Sequence, residues 1–503
     1  MRSGLMAALG LMCMLGAGLP GGGGLASPAL ASVPALESGA SAPYIEAFDR
    51  ARPLLPRGAR VAVILRDEQG RTLMSRFPDK LIAPASTLKL LTGVAAEQTL
   101  GHDFRFTTAL YADGKDRVIR FVGDPFFKRS DLRQLLLSLK QGKSTIAGDL
   151  ILDGDLFEGH SWSMAQSWND TTICFAAPAS AISLNHNCVQ GNASTGDLNE
   201  PVRVYIPEHE PIQIVNETEV LKVATVKHRQ CELNLKHRVA NVYELTGCSY
   251  QRRDPMPLSI AVNDPVAYTV DILREELKTL GIKLKGRIRV GGVSFTEDAR
   301  VLASHQSPPL SEMLIELMQE SDNQLADVLL KTMGQRFVSE EGQQWPGNYR
   351  NGVAAMRDVL SEKLGISMGQ AAISDGSGLS RHNLMSARTL ADVLAWAVKQ
   401  DESHVIASMP VSGESGSLKY RRGLINRPLK GRVQAKTGSL RGVVNLVGLL
   451  HTRSGEKLQF VVLIDGYSLS PEEWKAIRDR RGKRPLAEFY ESLFEAWYGI
   501  DRS

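Results

Sequence analysis

Apolar and polar positions recur with two different periods along this chain, and the periods mark its expected strands and helices. Val61, Val63 and Leu65 alternate, Asp67-Glu68-Gln69-Gly70 supplies turn chemistry, and residues 59–76 therefore predict a β-hairpin. Leu88, Leu90, Leu91, Val94 and Ala95 follow with helical spacing. Phe104 to Val122 reads as strands, Leu132 to Leu139 as a helix and Asp149 to Leu152 as a strand. Residues 201–250 read almost wholly as strand, alternating at Val202, Val204 and Ile206 and again from Val220 to Val226. Asp264 to Leu280 is helical, and Leu310, Met313, Leu314, Leu317 and Met318 recur at helical spacing before a second apolar set at Leu325, Val328 and Leu329. A polar, helical region extends to about Lys430. Residues 443–465 predict a strong strand pair, and Pro471 to Arg478 and Pro485 to Trp497 predict terminal helices.

This order predicts a mixed α/β (α+β) chain built by insertion. An outer domain takes residues 32–105 and 258–503. A mainly-β domain takes 106–130 and 200–257, and an α/β piece, 131–199, is nested inside it. Met256-Pro257 reads as the return to the outer domain.

Three short motifs fall at the joints of this pattern. Ser86-Thr87-Leu88-Lys89 opens the first helix, where free backbone N–H groups and the helix dipole favour negative charge, and a lysine three residues on lies on the serine's face. Ser321-Asp322-Asn323 sits in a short break between two helices. Lys436-Thr437-Gly438 lies on a strand before a turn and a buried strand, with Gly438 expected to let a ligand approach the backbone at a sheet edge. Single matches are weak, since Ser454-Gly455-Glu456-Lys457 repeats the first spacing within a predicted hairpin turn. Order and context together carry the signal.

Nucleophile, lysine, hydroxyl relay and carboxylate cradle in this order resemble the penicillin-recognising serine enzymes, for which the triplet is a known signature. Further segments narrow the resemblance: Gly123-Asp124-Pro125, Ala177-Pro178-Ala179-Ser180-Ala181, Asp375-Gly376-Ser377-Gly378-Leu379-Ser380 and Ser412-Gly413-Glu414-Ser415-Gly416-Ser417-Leu418. From about residue 44 onward the chain resembles the D-alanyl-D-alanine carboxypeptidase/endopeptidase family, the low-molecular-mass class C penicillin-binding proteins. Ser417 departs from the threonine frequent there, but keeps the hydroxyl.

The resemblance implies an antiparallel sheet flanked by helices, with nested insertions between the serine and Ser-x-Asn motifs. It implies cleavage beside D-alanine in peptidoglycan stem peptides, through an acyl-enzyme that β-lactams block. Ser86 is then the nucleophile and Lys89 a base, if burial and Lys436 depress its pKa. Ser321 relays a proton, and Asn323 binds the substrate amide and restrains Lys89. Lys436, Thr437 and Ser439 hold the terminal carboxylate, and the N–H groups of Ser86 and Ser439 form the oxyanion hole. Asp170, in Trp168-Asn169-Asp170 on the segment resembling a cleft-facing loop, is the candidate partner for a stem-peptide ammonium. Two alternatives are a serine β-lactamase and a catalytically silent peptidoglycan-binding module. The large insertion argues against the compact β-lactamase scaffold, and the intact polar side chains of the motifs argue against a silent module.

Composition narrows the setting. The 503-residue chain carries a net charge of +4, too small and too dispersed to imply nucleic acid. Arg2, the apolar run Leu5 to Leu19 and Ala29-Leu30-Ala31 read as a secretory signal over residues 1–31. The expected location is the periplasm, with at most peripheral membrane association. Cleavage at Ala31 leaves Cys174, Cys188, Cys231 and Cys248, an even number that suggests two disulfides in an exported chain. Nearest-neighbour pairing closes two short loops, and other pairings stay open. No Cys-x-x-Cys or His-Glu-x-x-His occurs, and neither a metal nor a cofactor is expected.

Overall fold

The strand Arg60–Arg66 shows the logic of the central sheet, because both of its faces are apolar. Val61, Val63 and Leu65 enter one core while Ala62 and Ile64 enter another, as alternating side chains must when a strand is covered on both sides. The structure is a computed structural model, which describes residues 42–141, 144–337, 345–479 and 481–500. The expected secretory segment, 1–31, lies outside the described residues.

The central sheet runs in the order Val433–Leu440, Val443–His451, Lys457–Asp465, Arg60–Arg66, Thr72–Arg76, antiparallel throughout. Helices Ala42–Ala51 and Pro485–Gly499 cover one face through Tyr44, Phe48, Phe489 and Trp497. Helices Lys89–Leu100, Asn323–Arg336 and Ala387–Val398 line the other core. Thr452 to Glu456 forms the turn between the last two strands, so Ser454 and Lys457 belong to a hairpin.

A second five-stranded sheet lies in the insertion, in the order Ile288–Val290, Leu150–Asp153, Asp116–Arg120, Thr107–Asp113, Arg300–Gln306. Helices Arg129–Leu137 and Pro265–Leu280 pack on it. Two three-stranded sheets and a two-stranded pair, Thr145–Ile146 with Lys283–Leu284, are the insertion's other sheets among the described residues.

Strand pairing divides the chain differently from the periodicity. Met256–Ala261 does not return to the outer domain but pairs with Cys188–Ser194. The return comes fifty residues later, after Arg300–Gln306 has paired with Thr107–Asp113. There the two crossings are tied together: Ser307 N–H donates to Phe106 O at 3.0 Å, and Phe106 N–H donates to Ser307 Oγ at 2.9 Å. The 106–130 and 131–199 pieces are not separate either, since Asp116–Arg120 and Leu150–Asp153 are neighbours in one sheet. Within 201–250, Val223–Arg229 is a helix rather than a strand. Both cysteine pairs are nearest neighbours, Cys174–Cys188 and Cys231–Cys248. Among the described residues no helix is long and apolar enough to cross a membrane.

Candidate active site

Ser86 sits on the single 3₁₀ turn Ala85–Leu88 that leads into the helix Lys89–Leu100. That turn is held from two sides. Asn445, on the second strand of the central sheet, donates its amide to Ala83 O at 2.9 Å and Pro84 O at 2.8 Å. Gly438 faces Asn445 in the register of the edge strand. A Cβ there would stand 2.6 Å from Pro84 O and 2.9 Å from Thr87 N. The missing side chain is therefore used by the chain itself, to seat the strand against the serine turn, and not only for a ligand's approach.

Lys89 is fully buried. Its Nζ lies 3.0 Å from Ser86 Oγ, 2.6 Å from Asn323 Oδ1 and 2.7 Å from Ser377 O. Burial pulls its pKa down to about 8, against the opposing attraction of Asp327, Asp375 and Asp322. Asn323 is oriented by its other end, where Nδ2 donates to Phe175 O at 2.7 Å. Phe175 adjoins Cys174, so the Cys174–Cys188 bridge fixes the loop that fixes Asn323. Asn323 Oδ1 and Ser377 O accept but do not donate. A neutral Lys89 amine satisfies both with its two hydrogens, and its lone pair then faces only Ser86 Oγ.

Ser321 has left-handed backbone, φ 63°, between the helical segment ending at Glu320 and the helix Asn323–Arg336. Its Oγ accepts from Lys436 Nζ at 2.7 Å. Burial, with the Lys89 charge nearby, holds Lys436 well below the usual lysine range. Thr437 donates its hydroxyl to Ser417 Oγ at 2.8 Å, and Ser439 is exposed beyond it on the same strand. Ser86, Lys89 and Asn323 thus form one hydrogen-bonded cluster and Ser321 and Lys436 a second, with the two lysines close enough for the Lys89 charge to act on Lys436.

Asp170 ends the turn Trp168–Asp170 and is half-buried. It stands four residues before Cys174, just outside the loop that the Cys174–Cys188 bridge closes, and among the described residues no hydrogen bond or ion pair joins its side chain to Ser86, Lys89, Ser321, Asn323 or Lys436.

Several supporting residues carry no motif. Asp327 accepts from the N–H groups of Gly376 and Ser377, each at 2.9 Å, and so aims the Ser377 carbonyl at Lys89. Burial, reinforced by Asp375, pushes the Asp327 carboxyl up to about 7. Asp375 closes the following turn through Gly378 N, Ser380 N and Asn383 Nδ2. Asp322 caps the Asn323 helix through Leu325 N and meets His186 Nε2 at 2.8 Å. The segment Asp375 to Ser380 is visible in sequence as one of those that carry the family resemblance. Asp327 and His186 are not, because their partners are distant in the chain.

A model of the D-Ala-D-Ala carboxypeptidase 3 (S13) family matches residues 49–484. The chain is 34% identical over 459 residues to D-alanyl-D-alanine carboxypeptidase DacB of Haemophilus influenzae, covering 88% of this chain and 92% of that one. It is 29% identical to a D-alanyl-D-alanine carboxypeptidase of Actinomadura sp. strain R39, covering 83% and 79%. The crystal structure of penicillin binding protein 4 (dacB) from H. influenzae superposes with a TM-score of 0.82 at 34% identity, over 90% of this chain and 99% of that one. A structure of the same H. influenzae protein with a novel β-lactam gives a TM-score of 0.77 at 32% identity, over the same shares of the two chains. By motif, fold and extended sequence similarity, the chain belongs to the D-Ala-D-Ala carboxypeptidase 3 (S13) family of serine peptidases.

Proposed function

We propose that this chain is a serine D-Ala-D-Ala carboxypeptidase, with DD-endopeptidase action, working on peptidoglycan stem peptides in the periplasm. The observation that carries the reading is Lys89 Nζ, buried and 3.0 Å from Ser86 Oγ, with its remaining hydrogens committed to Asn323 and Ser377. At pH 7 a lysine with a pKa of about 8 is neutral in roughly a tenth of molecules, which is enough for a general base.

Ser86 Oγ adds to the carbonyl carbon of the penultimate D-alanine while its proton passes to Lys89. The developing oxyanion meets the N–H groups of Ser86 and Ser439. The C–N bond breaks, and the proton held by Lys89 reaches the departing amine by way of the Ser321 hydroxyl, whose oxygen Lys436 holds. Water then adds to the Ser86 ester, frees the shortened peptide and restores the hydroxyl. Lys436, Thr437 and Ser439 hold the terminal carboxylate, and Gly438 keeps the strand close to Ser86. β-Lactams acylate the same serine. Association with the membrane, if any, is peripheral, and no role for nucleic acid is implied.

The test is labelling with a fluorescent penicillin together with release of free D-alanine from a pentapeptide. Wild type labels and releases D-alanine, and Ser86→Ala does neither. Undiminished labelling of Ser86→Ala overturns the nucleophile assignment. Asp170 is proposed to pair with the stem-peptide ammonium. Asp170→Asn is expected to lower kcat/KM about tenfold on a peptide with a free side-chain amine and to leave the acetylated peptide unchanged. An equal loss on both peptides rejects that role.

A further inference from the structure

Far from the cleft, three metal-ligating side chains converge. Glu97 lies in the last turn of the helix Lys89–Leu100, His102 follows the Gly101 cap, and His404 opens the short helix His404–Ala407. Glu97 Oε1 lies 3.6 Å from His102 Nδ1 and 3.6 Å from His404 Nδ1. The three ligand atoms all lie within 4.8 Å of one another. Both Nδ1 atoms are buried, and neither has a hydrogen-bond partner in the protein.

Packing explains the carboxylate but not the imidazoles: Glu97 Oε1 accepts from the His404 backbone N–H at 2.9 Å and so caps the short helix, while both Nδ1 atoms are left without a partner. At 3.6 Å neither imidazole makes a hydrogen bond to the carboxylate. The two rings lie 4.5 Å apart, so two imidazolium charges would repel. The Glu97 side chain is only 3% exposed, while the rings are 43% and 38% exposed. The carboxylate end is closed and the imidazole end lies towards solvent, from which a water ligand would come.

We propose that Glu97, His102 and His404 form a site for a divalent transition ion of the zinc class, tetrahedral with one water. Zinc–nitrogen and zinc–oxygen bonds of about 2.0–2.2 Å place tetrahedral ligands roughly 3.3–3.5 Å apart. The two 3.6 Å separations are already close to that value. Two imidazoles and one carboxylate suit Zn²⁺ and exclude Mg²⁺ or Ca²⁺, which favour all-oxygen shells. The site joins segments that meet only through folding. The His102 carbonyl also accepts from Ser311 N–H at 3.1 Å, which ties it to the helix before Ser321. A bound ion would clip the far end of the Ser86 helix, about 12 Å along its axis from Lys89 at 1.5 Å per residue. Its role is structural and lies outside the reaction.

The experiment titrates metal-free protein with ZnCl₂ by calorimetry and with CoCl₂ by visible absorption. The expected result is one saturable site, with the intense visible bands of tetrahedral Co²⁺. His102→Ala and His404→Ala are each expected to weaken binding at least about tenfold, and ZnCl₂ is expected to raise Tm in wild type but not in the double variant. Both histidines are partly exposed, so these variants can fold, and penicillin labelling at Ser86 confirms that they have. The absence of saturable uptake, or equal uptake by wild type and the double variant, overturns the proposal.

Discussion

At the scale of single residues, direction matters as much as distance. Asn323 Oδ1 and Ser377 O each fix one Lys89 hydrogen, and only Ser86 remains for the lone pair. Burial is the largest influence on Lys89, and it favours the neutral amine. The base form therefore grows as pH rises through about 8. The saturating rate constant for penicillin acylation is expected to climb about tenfold from pH 6.5 to 7.5 and to level off above about 8.5. Stopped-flow measurement with a fluorescent penicillin checks this, and a flat profile over that range removes Lys89 from the role of base.

At the scale of elements, the site depends on how closely the edge strand meets the serine turn. Gly438→Ala sets a methyl group against Pro84 O and Thr87 N, two backbone atoms that have little freedom to withdraw. Overpacking of this kind costs about 1–3 kcal/mol. We expect a drop in Tm and a loss of acylation of at least about tenfold, because strand and turn must separate. Unchanged acylation by the folded variant would show that the contact has slack. The elements themselves were largely legible in sequence. The hairpin at 60–76, the strands at 443–465 and both terminal helices have strong periodicity and clear turns or caps. Two kinds of element were not. Ile288–Val290 and Arg300–Gln306 are short edge strands with mostly exposed side chains, so they carry little hydrophobic pattern. Val223–Arg229 is rich in β-branched residues, but its two valines are three apart, a helical spacing, and neither is buried. The motif side chains were visible as local strings, as was Asp375 with its neighbours, whereas Asp327 and His186 act through tertiary contacts that no local string encodes. Gly438 was noticed for its lack of a side chain, but the neighbour that requires this lies 350 residues away in the chain.

At the scale of the whole molecule, segments far apart in the chain meet at Asn323. Asn323 is held by Phe175 O, and Phe175 lies beside the Cys174–Cys188 bridge. Removing a disulfide that closes a loop of this size costs about 3 kcal/mol in the chain-entropy model. The Cys174→Ser/Cys188→Ser double variant is expected to show a lower Tm and acylation slowed about tenfold below its melting range. A lower Tm with full acylation would mean that the bridge supports the fold but not Asn323. The strand order has a consequence in time as well. Arg60–Arg66 lies between Thr72–Arg76 and Lys457–Asp465, and the latter begins 391 residues after Arg66 ends (457 − 66 = 391). At roughly 5–20 residues per second, a ribosome needs about 20–80 s to make that interval. Throughout it the newborn hairpin offers a bare, apolar strand edge that only about the last tenth of the message can cover. Until then the chain is exposed to mispairing, and whatever guards it must hold on for the better part of a minute.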